Sequence, residues 1–522
     1  MMSTIIMILV ALMTLSSIIG TIIIVKNNLK SSTKESLKRF FFLLLLDSIS
    51  YWGLISSNHY SVDSFNLYYD MSPYWHMQLG RYFNCGTILW ALKFGVNQVV
   101  AQRVFMAIWV LTITIAIYII GEVFCELLNC KGKRSYVISA IISLSFINVF
   151  AMELMLFPEM AMVFMFSNLA IGILIYLAVS DMNNILKWVL FIWFTFVALG
   201  SYQSYIGIIE TYVLVALFIK YNDEIKERYT NSASALVLGG FVSVANVLIV
   251  KVMISMNLIA DSGRGASLTL SNILNNLVDV IQYQFSFWKN ADGILPNGIM
   301  PLILILIIVG FGYYVYKLSS MEKRIYIFVI VLGCYVLAFA PHIIEKTLTL
   351  RPRSNIAVWS VISVLLILSY LNIQKINLKN IFSTIVAVFL LTNIFVMQDM
   401  IQNEASNNAI DITEAKLIAE YIFEYEKSTG NYVINIATCQ DTEETYYLSS
   451  TRYHNGELGG RILDTNYSNY RLIGYELDGR NINLVEMDQK IYQEHFAGKN
   501  WDSLNLEEQL VFVGDTLYLA IY

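Results

Sequence analysis

Between two long apolar runs lies a hydrophilic stretch, residues 56–82. It gathers two carboxylates (Asp63, Asp70), two imidazoles (His59, His76), an arginine (Arg81) and several aromatic rings, among them Tyr74, Trp75 and Tyr82. A loop joining two spans needs polarity, but not this mixture. A carboxylate can take a proton from a hydroxyl. A guanidinium can hold a phosphate, and aromatic rings can stack on a sugar. The set suits a ligand that carries both phosphate and sugar. An equally simple reading is a wet loop with a belt of interfacial aromatics.

The elements that must position this loop are membrane helices. The chain of 522 residues is 57% hydrophobic and only 14% charged, with mean hydropathy +0.59. Globular domains average about 25% charged residues. Repeated apolar runs near twenty residues long therefore read as transmembrane helices rather than a buried core. Five scattered cysteines (Cys85, Cys125, Cys130, Cys334, Cys439) make neither a metal spacing nor a disulfide framework.

The net charge of −5 hides an asymmetry. From Asp399 onward there are 21 acids against 8 Lys and Arg, a net −13, which leaves +8 for residues 1–398. The split predicts a multi-span membrane domain, 1–398, followed by a soluble acidic α/β domain, 399–522.

Spans are expected at about 5–25, 40–55, 101–127, 136–156, 161–179, 188–200, 208–219, 233–254, 299–316, 325–340, 357–371 and 381–396, so about twelve in all. Residues 82–94 are apolar but too short to cross and read as an interfacial helix. Residues 268–288 read as an amphipathic helix. Lysines and arginines fall on alternate connections, including 26–39, 131–134 and 317–324, and these read as cytoplasmic. The chemically rich loops, 56–98, 157–159, 201–205, 257–296 and 342–354, then share the opposite, outer side with the acidic tail. In the tail, 411–427 reads as a helix whose Asp411 to Glu414 resembles a first-turn capping pattern, and 432–437, 470–475 and 510–512 read as strands. There is no nucleotide-binding glycine motif and no zinc spacing, and the acidity argues against nucleic acid as a partner.

A soluble domain outside the cell meets few nucleotide sugars. An outward site would need a donor reached from the bilayer, with a loop carboxylate as base and arginines on the leaving phosphate. At this point His59, Tyr60, Ser61, Val62 and Asp63, followed by Trp75, Gly80, Arg81 and Tyr82, resemble the first outer loop of the glucosyltransferase II family. These are bacterial serotype-converting enzymes among the class C glycosyltransferases. Ser201 to Tyr205, with Tyr202 and Gln203, is similar to the family's Tyr-Gln segment. Arg351, Pro352 and Arg353 are similar to its basic outer motif. Many members carry two adjacent acids where this chain has Val62, Asp63 and Ser64.

The resemblance implies a class C-like membrane glycosyltransferase of the bacterial cytoplasmic membrane, with its active site and C-terminal domain extracytoplasmic. It further implies a polyprenyl-phosphate-hexose donor, often glucose, a surface glycan acceptor, and inverting transfer without nucleotide. By residue, it implies Asp63 as base; Asp70, as a second-choice base, and Glu159 are the other candidate catalytic carboxylates. His59, Trp75, His76, Arg81, Tyr202, Gln203, Arg351 and Arg353 would bind substrate. No cofactor is expected; Asp63 with Glu159 is the pair that would share a divalent ion if one is used.

Each residue also has a plainer reading. Asp70 can be a solvated loop residue, and Glu159 a charge at a helix start. The histidines can be structural, Trp75 a membrane-belt anchor, and Tyr202 with Gln203 interhelical glue. At the level of the whole chain, a flippase or a polymerase of lipid-linked saccharides is the rival. A flippase would show a polar pathway, yet ionisable groups within the spans are few (Asp47, Glu210, Lys251).

Overall fold

Apolar runs of this length can satisfy their backbone N–H and C=O groups away from water only as helices. The computed structural model describes residues 2–31, 33–70, 73–263, 269–439, 448, 450–455, 458–499 and 504–521. Among these, six helices are long and apolar enough to cross a membrane, which marks a membrane protein. They are Met2–Asn27, Gln102–Leu127, Pro158–Val179, Ile225–Ser255, Ile299–Lys317 and part of Ile376–Thr429. Two shorter apolar helices, Asn184–Leu199 and Ala357–Leu371, stand with them. The other expected spans are helices too, but shorter or more polar: Thr33–Ser50, Tyr205–Lys220 and Met321–Leu337.

The centre of the bundle is the Ala161–Val179 helix, packed on Gln102–Leu127, Asn184–Leu199 and Tyr205–Lys220. Its residues are almost all buried, whereas Ile225–Ser255 and Ile299–Lys317 keep most of their apolar surface outward, as lipid-facing helices do. Some polar groups inside the bundle are paired. Thr114 Oγ1 donates to Asp47 Oδ2 at 2.6 Å. At one end, Arg39 pairs with Glu122, Arg228 with Glu322 (2.6 Å) and Lys323 with Asp223 (2.7 Å).

The region expected as one span at 136–156 is broken. It forms Lys133–Ser143, an irregular piece, and Val149–Met155. Asn148 causes the restart. It stands in extended backbone, and its side chain accepts from the N–H groups of Phe150 and Ala151 at 3.0 and 2.9 Å. The break, followed by Pro158, holds Glu153 and Glu159 at the opposite end of the bundle.

The last long helix, Ile376–Thr429, runs for 54 residues, about 80 Å. A hydrocarbon core is about 30 Å thick, so much of this helix extends beyond it. The helix is continuous through residues 398 and 399. It ends at Gly430, whose φ of +77° admits the left-handed turn. On its distal half rests a four-stranded sheet in the order β2 (Asn483–Leu484), β1 (Asn435–Cys439), β4 (Thr516–Ala520), β3 (Leu510–Val513). β1 is parallel to both neighbours, and β3 with β4 is an antiparallel hairpin in which Val513 faces Thr516.

Two expectations for the tail are corrected. Residues 470–475 are not a strand but part of the helix Asn469–Glu476, which buries Leu472 and Ile473 against the long helix. A short run of apolar and β-forming residues fits either period, and docking on a helix decided it. Asp411 and Glu414 do not cap a helix. They sit mid-helix and buried, where both bind Arg461, Nε to Asp411 Oδ1 at 2.8 Å. The two carboxylates hold the Arg461 guanidinium well above its ordinary range, against the opposing effect of burial.

Removing Arg461 would leave two buried carboxylates without their cation. Arg461→Leu is expected to destabilise this part of the chain by about 3–5 kcal/mol. Limited proteolysis in detergent should then release fragments of residues 430–521 at a protease dose that leaves the wild type intact.

Candidate active site

Five polar connections meet at the end of the bundle marked by the broken helix, and each contact has a local cause. The turn of residues 61–64 closes on itself: Ser61 N–H donates to Ser64 Oγ at 2.9 Å, and Asp63 N–H donates to Ser61 Oγ at 3.1 Å. The same two hydroxyls clamp Glu159, Ser61 Oγ donating to Oε1 at 2.6 Å and Ser64 Oγ to Oε2 at 2.8 Å. Glu159 is fully buried. Asp63 lies between the clamping serines, half-buried, just before the helix Ser64–Asp70. The side chain of Asp70 lies outside the described residues.

Beside this turn is a small cleft, lined by Ser61, Val62, Glu153, Leu156, Phe157, Glu404 and Leu458. Its wall is held by Arg353, whose backbone N–H donates to Glu153 Oε2 at 2.6 Å and whose Nη1 donates to Oε1 at 2.9 Å. The guanidinium also stands 4.7 Å over the Phe157 ring. Arg353 thus fixes Glu153, and Arg351 opens the same short turn, Pro352–Asn355, half-buried.

The Arg81 guanidinium stands 5.0 Å from the centre of the Tyr202 ring, a cation–π contact. Burial pushes the Tyr202 phenol up, while the cations of Arg353 and Arg81 pull against it. Gln203 Nε2 donates to Leu79 C=O at 2.7 Å and so ties the connection after Asn184–Leu199 to the 73–81 segment.

His59 and His76 are buried. Burial drives His59 down to about 4, opposed by backbone contacts at Met155 and Ser57. Burial, with help from the charge of Arg81, drives His76 down to about 3. Both rings are therefore neutral at pH 7. Trp75 lies half-buried on the helix Pro73–Gln78, ahead of His76.

The structure thus draws Asp63, Glu159, Arg81, Tyr202, Gln203 and Arg353 to one end. Sequence reasoning missed Ser61 and Ser64 as clamps, Glu153 as the partner of Arg353, and Glu404 as part of the cleft. The first two flank Asp63 at a spacing a turn could have suggested. Glu404 gave no signal, because it lies among residues assigned to the tail. Among the described residues no group of three or more His, Cys, Asp or Glu is arranged to hold a metal ion.

The two lowered histidines set a pH dependence of stability. As pH falls below about 6.5, the unfolded chain takes up protons that the folded chain refuses, so stability declines until about pH 4 for His59 and about pH 3 for His76. The double variant His59→Gln, His76→Gln is expected to show a shallower loss of melting temperature between pH 7 and pH 5. An unchanged slope would show that other groups carry the effect.

No curated protein matches the chain. The family model for Glucosyl transferase GtrII matches residues 52–368, more than half of it. That span runs from the helix before Asp63, through Glu159 and Tyr202, to the helix after Arg353. By this match the chain belongs to the GtrII glucosyl transferase family.

Proposed function

We propose that the protein transfers a hexose, glucose in the first instance, from a polyprenyl-phosphate carrier to a surface glycan on the outer face of a bacterial cytoplasmic membrane. The observation that carries this reading is the turn 61–64, clamped on buried Glu159, which presents Asp63 beside a cleft while Arg81 and Tyr202 flank the same end. The membership of the family supports a sugar donor and a glycan acceptor.

The distribution of charge supports the orientation. Lys131, Lys133, Arg134, Lys317, Lys323 and Arg324 lie at or beside helix ends on the side away from Asp63, as residues at a cytoplasmic face would. Twelve crossings, with residues 399–522 as an extracytoplasmic domain, complete the topology. In that arrangement the long helix carries the sheet above the site.

In the proposed step, Asp63 takes the proton of an acceptor hydroxyl. The hydroxyl oxygen forms its bond to the anomeric carbon from the face opposite the phosphate, and the bond from that carbon to the phosphate oxygen breaks. Configuration inverts, and polyprenyl phosphate departs with the electron pair. Arg81 offsets the charge that grows on the phosphate. Glu159 has a supporting part: it fixes the turn, and Arg353 fixes Glu153 in the cleft wall.

Losing a general base typically costs 10²–10⁴ in rate. Asp63→Asn is therefore expected to reduce transfer of labelled glucose from polyprenyl-phosphate-glucose to envelope glycan by about 10²–10⁴-fold, at unchanged protein level in purified membranes. Near-full transfer by the variant would remove Asp63 as base. Absence of transfer by the wild type from several hexose donors would overturn the transferase reading in favour of a flippase or polymerase.

A further inference from the structure

Beyond the Asp63 turn, a second set of polar groups meets around Gly80. Its φ is +73°, a left-handed value that a side chain would strain. A Cβ there would stand 3.1 Å from Asn246 Oδ1 and 3.1 Å from Gln203 Nε2. Two amides, Asn246 from a helix and Gln203 from the connection after Asn184–Leu199, thus close on a bare stretch of backbone, next to Arg81. Asn246 comes from the Ile225–Ser255 helix, most of which faces outward toward lipid. An asparagine buried on such a helix is costly unless it has a use. Its Oδ1 is enclosed and has no hydrogen-bond partner among the described residues. The same is true of both ring nitrogens of His76, on the helix Pro73–Gln78 that packs against Asn246's helix.

The chemistry of these groups says what they lack. A phosphate oxygen only accepts hydrogen bonds at this point in a phosphodiester, so it can satisfy a guanidinium but not the Asn246 carbonyl. A hydroxyl both donates and accepts, and it matches an amide as well as a neutral imidazole, which has one donor and one acceptor. Burial together with the Arg81 charge keeps His76 in that neutral form. The only fixed cation in the set is Arg81, which suits a singly charged phosphodiester.

We propose that Asn246 is a specificity-determining residue that reads a hydroxyl of the donor's sugar, while Arg81 beside it faces the donor's phosphate. The inference rests on the lipid-linked donor argued above. The headgroup takes its place between the helix Ile225–Ser255 and the helix Pro73–Gln78. The former packs on Asn184–Leu199 and Tyr205–Lys220 but keeps much of its apolar surface outward, which gives the lipid chain a lateral way in.

The test measures binding rather than turnover, on the full-length protein in detergent, with two probes: polyprenyl-phosphate-glucose and polyprenyl phosphate without sugar. The wild type is expected to bind the sugar-bearing lipid more tightly. Asn246→Leu is expected to lose about tenfold for that probe, the worth of one neutral hydrogen bond in a desolvated site, with affinity for bare polyprenyl phosphate unchanged. Asn246→Gln, which keeps the amide, is expected to retain part of the preference. Arg81→Gln is expected to weaken both probes. If Asn246→Leu leaves the ratio of the two affinities as in the wild type, or weakens both probes equally, the inference is wrong while the donor reading stands. If the wild type binds neither probe, the donor reading itself falls.

Discussion

The clamp of Ser61 and Ser64 on Glu159 is the contact on which the rest of this end of the molecule depends. A buried carboxylate without partners would be strongly unfavourable. Two hydroxyl donors from one turn meet the need of Glu159 and, by the same bonds, leave the turn little freedom. Asp63 inherits its position from that arrangement, being the residue between the two donors whose N–H is also used. The carboxylate pair is therefore divided by environment: one is enclosed and bonded, the other borders solvent. Groups with such different surroundings take different parts in a reaction.

Residues beyond the family match reinforce the same turn. Phe65, four residues after Ser61, belongs to the apolar core formed by Ile418, Ile422, Leu463 and Leu517. Tyr60 N–H donates to Asn408 Oδ1 at 2.7 Å, and Ser468 Oγ donates to the Val62 carbonyl. Tyr68 and Tyr475 meet edge to face with centroids 5.0 Å apart. The first polar loop is thus held between the bundle and the distal half of the long helix. Glu404 brings that helix into the wall of the cleft. The packing of the sheet reaches the residues around Asp63, through Leu517 and Phe65 in one apolar core.

Arginines make a further division. Arg353 is committed to Glu153 by both its backbone and its side chain, and Arg461 to Asp411 and Glu414. These are pairs in which burial is offset by close hydrogen-bonded charge. Arg81 is placed differently, its guanidinium over the Tyr202 ring.

The sequence by itself determined that this is a helical membrane protein, because runs of apolar residues can meet their backbone requirements in no other way. It also determined which loop holds the reactive mixture, since Asp63, Arg81 and the aromatic rings lie within one short stretch. The family was legible from the same stretch together with Tyr202, Gln203, Arg351 and Arg353. What only the tertiary structure decided is how these groups are shared out. The spacing of Asp63 and Glu159 along the chain says nothing of the serines between them, and nothing in Arg353 shows that Glu153, two hundred residues earlier, claims it. The helix at Asn469–Glu476 and the mid-helix place of Asp411 were decided in the same way, by docking on Ile376–Thr429. Local pattern reports the period of burial and the chemistry of a segment; partners far apart in sequence are chosen by packing, which satisfies each enclosed polar group with whatever the fold brings near.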